Sequence, residues 1–433
     1  MTSRRNFLLS ATAAGALGLP ASARQGALHR PSRPGSLIVP SGHAEQGRIV
    51  NDVRVFHLTA GEVTNRFAPG LQALCWGFNG VVNGPVLEAV EGERVRIYVT
   101  NRLPAPTSVH WHGFILPNGM DGVSGLTQPP IPPGETWVYD FRLIQHGTHM
   151  FHSHEDTMTQ DGLGLTGMFV IHPRESLDPP VDRDFVLLLH EWRIDAGARR
   201  PNPNVMSDFN VLTMNGKVFP ALDPLVCRTG QRVRMRIGNL SAMDHHPIHV
   251  HGVEFEVTAI DGARVPVANR TTRVTVLVGV GETRDIEFAP QFPGDWAFHC
   301  HMTHHMMNQM GHDFPNMIGV DAQALNQSVR DVLPDYMTMG TTGMRDMTDT
   351  DMPIPPNSIP MLRGPGQFPN DISLGGMAGV LKVRDDISDE ALAQNLDPGW
   401  YQHPPGTRAQ PATTAGMLHD GIDVAQRSGP RSD

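Results

Sequence analysis

Hydrophobic and polar residues alternate with period two along much of the chain from about Ile49 onward. Val95, Ile97 and Val99 alternate with Arg94, Arg96 and Tyr98. Successive side chains of a strand point to opposite faces, so this pattern predicts a half-buried β-strand. The same phrase returns later: Gly92-Glu93-Arg94-Val95-Arg96-Ile97 with Asn101 matches Gly230-Gln231-Arg232-Val233-Arg234-Met235 with Asn239. Upstream, Phe78-Asn79-Gly80 answers Met214-Asn215-Gly216. Downstream, Gly134-Glu135-Thr136 and Phe141 answer Gly281-Glu282-Thr283 and Phe288, and His152-Ser153-His154 answers His299-Cys300-His301. The last two correspondences share one offset, 147 residues. A repeat of that length exceeds any solenoid unit and predicts a domain duplication, each copy sized for a small β-sandwich.

The pattern sets the domain boundaries as well. Ser176-Leu177-Asp178-Pro179-Pro180 has the composition of a linker, giving a first domain over 24–178 and a second over 179–385. From about 321 to 374 the chain is rich in Met, Pro, Gly, Asp and Thr and loses its periodicity. Gly375 to Val383 then reads as one more strand, related to Gly167-Met168-Phe169-Val170-Ile171 of the first half. The Met-rich stretch is then an insertion before the last strand of the second domain, with a last strand near 317–320 as the alternative. Residues 386–433 are expected to form an irregular tail.

Composition narrows the classes. A net charge of −10 argues against nucleic acid as a partner, which would require a basic face. Three cysteines are too few for a disulfide scaffold, and Cys75 and Cys227, at non-equivalent places in the repeats, are expected to be buried thiols. Arg4-Arg5 before a short apolar run and Ala21-Ser22-Ala23 marks a twin-arginine export signal over 1–23, cleaved after Ala23. That run falls short of the ~20 residues a membrane-spanning helix needs. The expectation is a protein that does not span the membrane and works in the periplasm or another extracytoplasmic space.

The chemistry lies in four His-x-His units: His110-Trp111-His112, His152-Ser153-His154, His249-Val250-His251 and His299-Cys300-His301. On a strand each unit projects two imidazoles to one face. Eight converging imidazoles exceed what one zinc ion takes and suit a cluster of several copper or iron ions. Cys300, in the middle of its unit, faces the opposite way. With His305 and Met310 following, it supplies most of a blue-copper ligand set of two His, a Cys and a weak axial Met. Cys300 can thus bind one metal while His299 and His301 bind another, a built-in electron path.

These residues together resemble the multicopper oxidase family, which includes laccases and cuprous oxidases. The matching motifs are His110-Trp111-His112-Gly113, His152-Ser153-His154, His246-Pro247-Ile248-His249-Val250-His251-Gly252, and His299-Cys300-His301 through His305 and Met310. The resemblance implies an all-β fold of two cupredoxin-like Greek-key β-sandwich domains plus the irregular Met-rich C-terminal segment. It implies that His246, Cys300 and His305 hold a type 1 copper with Met310 axial, and that His110 and His249 hold a type 2 copper. His112, His152, His154, His251, His299 and His301 would hold the type 3 pair, making four copper ions in all. Asp121 matches the family's carboxylate that helps deliver protons to dioxygen; by local chemistry alone it is equally a turn residue capping its own backbone. His146, His149, His245, His304 and His312 fall outside the motifs and are read as supporting or surface groups. Where some members carry an acid directly after the second type 1 His, this chain has Met306.

The resemblance also implies a subclass. Too few residues separate His154 from His246 for a middle domain, and the first-half counterpart of Cys300 is Ser153. This is the two-domain arrangement with the type 1 site in domain 2, whose cluster forms between neighbouring subunits of a homotrimer. The implied reaction is one-electron oxidation of a reducing substrate coupled to four-electron reduction of dioxygen to water. Methionines near the type 1 motif and in the insertion favour Cu(I) as donor or a copper-tolerance role; read as packing residues, they leave phenolic and aromatic donors open. A non-enzymatic copper-binding protein would be expected to have lost ligands, and a copper nitrite reductase would carry its Cys site in domain 1.

Overall fold

The computed structural model describes residues 35–175, 178–195, 198–307 and 374–420, together with 327 and 331. Two β-sandwiches follow one another, each of two sheets. In the first, one sheet runs Arg48–Val50, Val53–Ala68, Arg94–Asn101, Thr136–Arg142, with Leu71–Phe78 also paired to Val53–Ala68. The facing sheet runs Ala44–Glu45, Val86–Val90, Thr166–His172, Gly147–His152, His110–His112. The predicted alternation is realised along Arg94–Asn101, whose Val95, Ile97 and Val99 are buried. They enter an aromatic core with Phe56, Trp111, Phe141, Phe151 and Phe169.

The second sandwich repeats the central strands of both sheets. Arg183–Trp192 pairs in parallel with Val233–Asn239, as Val53–Ala68 does with Arg94–Asn101. Gly294–Cys300 lies between His246–Val250 and Ala378–Val383, as Gly147–His152 lies between His110–His112 and Thr166–His172. Even the irregular contacts repeat: the Ser153 N–H donates to the Leu165 carbonyl at 3.2 Å, and the Cys300 N–H to the Met377 carbonyl at 3.0 Å. Opposite Phe151 and Phe298 stand Gly167 and Gly379, where a Cβ would come within 2.3 Å of the ring in both cases.

Ala378–Val383 is therefore the counterpart of Thr166–His172. The chain departs after the short helix Thr303–Met306 and returns beside it, the Gly375 N–H donating to the Met306 carbonyl at 3.1 Å. Most of the intervening Met-rich stretch, including Met310, lies outside the described residues, as do residues 1–34 and 421–433. The tail over 386–420 has only short helices, Asp389–Ala393 and Thr414–His419, yet it is fastened to the second sandwich. Lys382 stacks on Trp400, and Asn395 accepts from Arg183 at 2.9 Å.

The two sandwiches pack sheet against sheet. Thr166–His172 and Arg183–Trp192 are buried on both faces, because one face fills its own core and the other fills the seam between domains. Met150, Met168 and Val170 of the first meet Val186, Leu188 and Leu240 of the second there. The start of the described chain straps the seam: Leu37–Ile38 pairs with Arg183–Trp192, and Ala44–Glu45 with Val86–Val90. Within the seam Arg236, 4% exposed, makes a bidentate pair with Asp184 at 2.7 and 2.8 Å and reaches Asp285 at 3.1 Å. Thr148 of the first sandwich donates to Asp285 at 2.7 Å and closes the network. Burial alone would raise the Asp184 carboxyl, but the charges of Arg236 and Arg234 hold it below its usual range. A depressed carboxyl stabilises the fold above its unfolded pKa, and that contribution disappears as pH falls through the folded value.

Removing one partner of a buried pair leaves an uncompensated charge, so Arg236→Met should cost about 3–5 kcal/mol. The measurement is the denaturant midpoint of the metal-free chain at pH 7. Arg94→Gln, which removes a pair whose Arg side chain is 55% exposed, should cost no more than about 1 kcal/mol. Equal effects of the two substitutions would contradict this account of the seam.

Candidate metal centres

His246, Cys300 and His305 come together in the second sandwich, all fully buried. His246 opens the strand His246–Val250, Cys300 ends Gly294–Cys300, and His305 sits on Thr303–Met306. The Cys300 Sγ lies 3.8 Å from His246 Nδ1 and 3.5 Å from His305 Nδ1, and the two ring nitrogens are 3.0 Å apart. Three donors converge on one point with their outer atoms turned away. The His246 Nε2 meets the Ser241 hydroxyl at 2.7 Å, and the His305 Nε2 stands 3.5 Å from the Asp244 carboxylate. Burial, with His305 next, pushes His246 down to about 3, so its ring is neutral and ready to ligate. Burial pushes the Cys300 thiol up to about 12 in the metal-free chain. A soft cation reverses that balance by taking the thiolate. One thiolate and two imidazoles fit copper, and the convergence of all three donors in a dry pocket supports it.

The other eight motif histidines form two tetrads. In the first sandwich the His110 ring centre lies 5.4 Å from that of His152, 5.5 Å from His154 and 5.8 Å from His112. In the second, the His249 ring centre lies 4.7 Å from His251, 5.7 Å from His299 and 5.6 Å from His301. Outer nitrogens are spoken for, which fixes the inner ones. The His110 Nδ1 donates to the Asp121 carbonyl at 2.8 Å, His249 Nδ1 to Val274 at 2.6 Å, and His299 Nδ1 to the Cys300 carbonyl at 2.9 Å. The facing nitrogens of His112 and His152 are 3.4 Å apart and those of His251 and His299 3.1 Å apart. Ring nitrogens that face each other at such a separation can share a cation. Burial lowers His110, His251 and His299 and takes His112 down to about 4, so these rings are free to ligate. The Asp161 carboxylate, 3.0 Å from His152 Nδ1, outweighs burial and holds that ring above its ordinary range.

Asp121 owes its place to Gly122. At φ +81° a Cβ there would lie 1.8 Å from the Val109 carbonyl, so only glycine lets the turn close. This brings the Asp121 carboxylate within 3.5 Å of His110 Nδ1. Of the remaining histidines, His245 accepts from the Val280 N–H at 3.0 Å and His146 lies 3.3 Å from Glu91. His149 is buried against Phe114 and Gly262, His304 is exposed, and His312 lies outside the described residues. Cys75 and Cys227 are buried free thiols. Sequence reasoning missed the supporting groups Ser241, Asp161, Asp244 and Glu191, since none stands at a fixed spacing within a motif.

Among the described residues no ring contact joins one tetrad to the other. His154, His249 and His110 are part-exposed and His251 and His301 exposed, so each tetrad presents an open face.

Comparisons with known proteins bear on the fold and the family. Two family models, both described as multicopper oxidase, match residues 59–176 and 195–319. Copper resistance protein A of Escherichia coli is 31% identical over 338 residues, 67% of this chain and 53% of that protein. Laccase-1 of Botryotinia fuckeliana is 31% identical over 237 residues, 52% and 40% respectively. The chain spans about half the length of the curated relatives it matches. Among solved structures, multicopper oxidase mgLAC has TM-score 0.55 at 32% identity, covering 59% of this chain and 81% of that one. The blue copper oxidase from Nitrosomonas europaea has TM-score 0.54 at 28% identity with the same coverage. With a buried Cys-His-His pocket backed onto a histidine tetrad, on a fold these models and structures share, the chain belongs to the multicopper oxidase family.

Proposed function

We propose that this chain is an extracytoplasmic two-domain multicopper oxidase, built of domains 24–178 and 179–385 with the insertion at about 321–374. In this reading His246, Cys300 and His305, with Met310, would hold the type 1 copper, and His110 and His249 would hold the type 2 copper. His112, His152, His154, His251, His299 and His301 hold the type 3 pair. Bound copper supplies one-electron redox chemistry at the first site and four-electron reduction of dioxygen to water at the cluster. The observation that carries the proposal is the placement of Cys300. Its thiol points into the His246–His305 pocket, while His299 and His301 on either side belong to the tetrad. A few covalent bonds along one strand join the two centres. Asp121 holds His110 through its carbonyl and keeps a carboxylate beside it, positioned to pass protons toward oxygen.

The open tetrads support assembly from more than one copy. Exposed Ile115, Leu126 and Met158 follow closely on the motifs of the first tetrad, and Val274, Leu277 and Met302 adjoin those of the second. Apolar surface beside two open, complementary half-sites is what a head-to-tail interface covers. We infer a homotrimer in which each cluster takes its first tetrad from one chain and its second from the next. Export rests on the Arg4-Arg5 leader motif; no helix among the described residues is long and apolar enough to cross a membrane.

The electron donor in this reading is Cu(I) or a phenolic or aromatic compound. A copper-tolerance role with cuprous oxidase activity is the second reading, favoured by the 31% identity to copper resistance protein A and by Met302 at the mouth of the type 1 segment.

Copper-loaded protein should be blue and should consume oxygen with Cu(I), with phenols, or with both, measured side by side in an oxygen electrode. Uptake with neither would sink the oxidase reading. Cys300→Ser should abolish the blue band and turnover while cluster copper remains by metal analysis. Asp121→Asn should keep the blue band and slow oxygen reduction by at least about a hundredfold, read by single-turnover reoxidation. Light scattering should give a molar mass of three chains; the mass of one chain would rule out the shared clusters.

A further inference from the structure

The strand Arg183–Trp192 runs between the two sandwiches, and its end carries two buried polar residues that the donor sets leave unused. Alternation assigns their directions. Phe185, Leu187 and Leu189 fill the core of the second sandwich, whereas Val186 and Leu188 fill the seam. His190 therefore faces the seam and Glu191 faces the second sandwich. Each is 1% exposed.

Glu191 clamps a turn. Its Oε1 accepts from the main-chain N–H of Met243 at 2.6 Å and of Asp244 at 3.2 Å. Asp244 in turn places its carboxylate 3.5 Å from the outer nitrogen of His305. Burial, with the Asp244 charge next, pushes Glu191 up to about 8. The clamp thus sets where the Asp244 carboxylate stands, and with it the orientation of one metal donor.

His190 packs with its ring centre 4.5 Å from that of Trp192. Its polar neighbours are the main chain of Leu240 in the second sandwich and of Asp161 in the first. Neither ring nitrogen closes a well-formed hydrogen bond among the described residues. A buried imidazole without a partner is costly and calls for a reason. Its neighbours supply one. Leu240 precedes Ser241, whose hydroxyl holds His246 at 2.7 Å, and the Asp161 carboxylate holds His152 at 3.0 Å.

We propose that His190 and Glu191 are positioning residues that fasten the Cys-His-His pocket to the histidine tetrad of the first sandwich in the same chain. Glu191 acts through Asp244 on His305, and His190 acts through Ser241 on His246 and through Asp161 on His152. This rests on the copper reading above. If the clusters form between copies, each pocket is linked to two of them: its own through Cys300, and its neighbour's through this strand end. Loading one cluster would then alter the pocket that feeds another.

The test compares copper-loaded wild type, Glu191→Leu, Glu191→Gln and His190→Leu. The readouts are the blue band, the type 1 reduction potential, the near-ultraviolet band of the coupled copper pair, and hydrogen exchange of each metal-free chain. Glu191→Leu should shift the blue band and the potential, and Glu191→Gln, which keeps a carbonyl acceptor, should restore both. His190→Leu should change the coupled-pair band together with the potential. Without metal, exchange should become roughly tenfold faster or more across 240–246 in Glu191→Leu. In His190→Leu it should do so across both 157–164 and 240–246. The proposal is overturned if the Leu variants keep wild-type spectra, potential and exchange, if they lose only thermal stability, or if Gln is no better than Leu. A wild-type protein that is not blue would defeat the copper reading instead; exchange in the metal-free chains still decides the fastening.

Discussion

The whole arrangement depends on the two-residue period of the β-strand. Along Gly294–Cys300 that period sends the Cys300 thiol to one side and the neighbouring imidazoles to the other. A thiol aimed into the sandwich finds His246 and His305 in a dry pocket, and imidazoles aimed outward find His249 and His251 on the paired strand. Register enforces both at once: a slip of one residue would reverse every side chain and lose both centres. The pairing of His249 with His299 and of Ile248 with Cys300 is therefore as much a part of the chemistry as the donors are.

Duplication explains the uneven division of labour. Both sandwiches place a His-x-His strand at the same point of the same sheet. In the first, however, the residue between the imidazoles is Ser153, whose hydroxyl donates to the Gln160 side chain at 2.7 Å. A thiol site needs a cysteine and two inward imidazoles. In the first sandwich Thr107, three residues before His110 as His246 is before His249, donates to the same Gln160 side chain at 2.7 Å, and only the outward tetrad remains. The seam makes the two unequal halves one body. It combines thioether and aliphatic packing with a buried Arg236–Asp184–Asp285 network that specifies one docking geometry at the expense of desolvating three charges.

The long excursion between Met307 and Leu374 is compatible with this fold because its ends are adjacent. Main-chain bonds from Gly375 to Met306 and from Met377 to His305 close the gap, so the inserted chain interrupts neither the sheet nor the core. Closing a longer loop costs only slowly increasing entropy. The described ends of that excursion adjoin the short helix that bears His305.

The sequence by itself determined the β class, the duplication and the candidate donors, because period-two alternation and His-x-His spacing are local properties that a strand converts directly into facing side chains. It also pointed to the strand after the insertion, through the likeness of Gly375–Val383 to Gly167–Ile171. Only the tertiary structure decided which groups hold those donors. Ser241, Asp244, Asp161 and Glu191 reach the histidines across turns and between sheets, where no fixed spacing governs who meets whom. It likewise decided that Leu37–Ile38, expected within the first domain, pairs with the second, and that the tail is fastened by Lys382, Arg183 and Arg228. Such contacts arise from packing between distant segments, and that depends on the shape of the assembled sandwiches rather than on any local pattern.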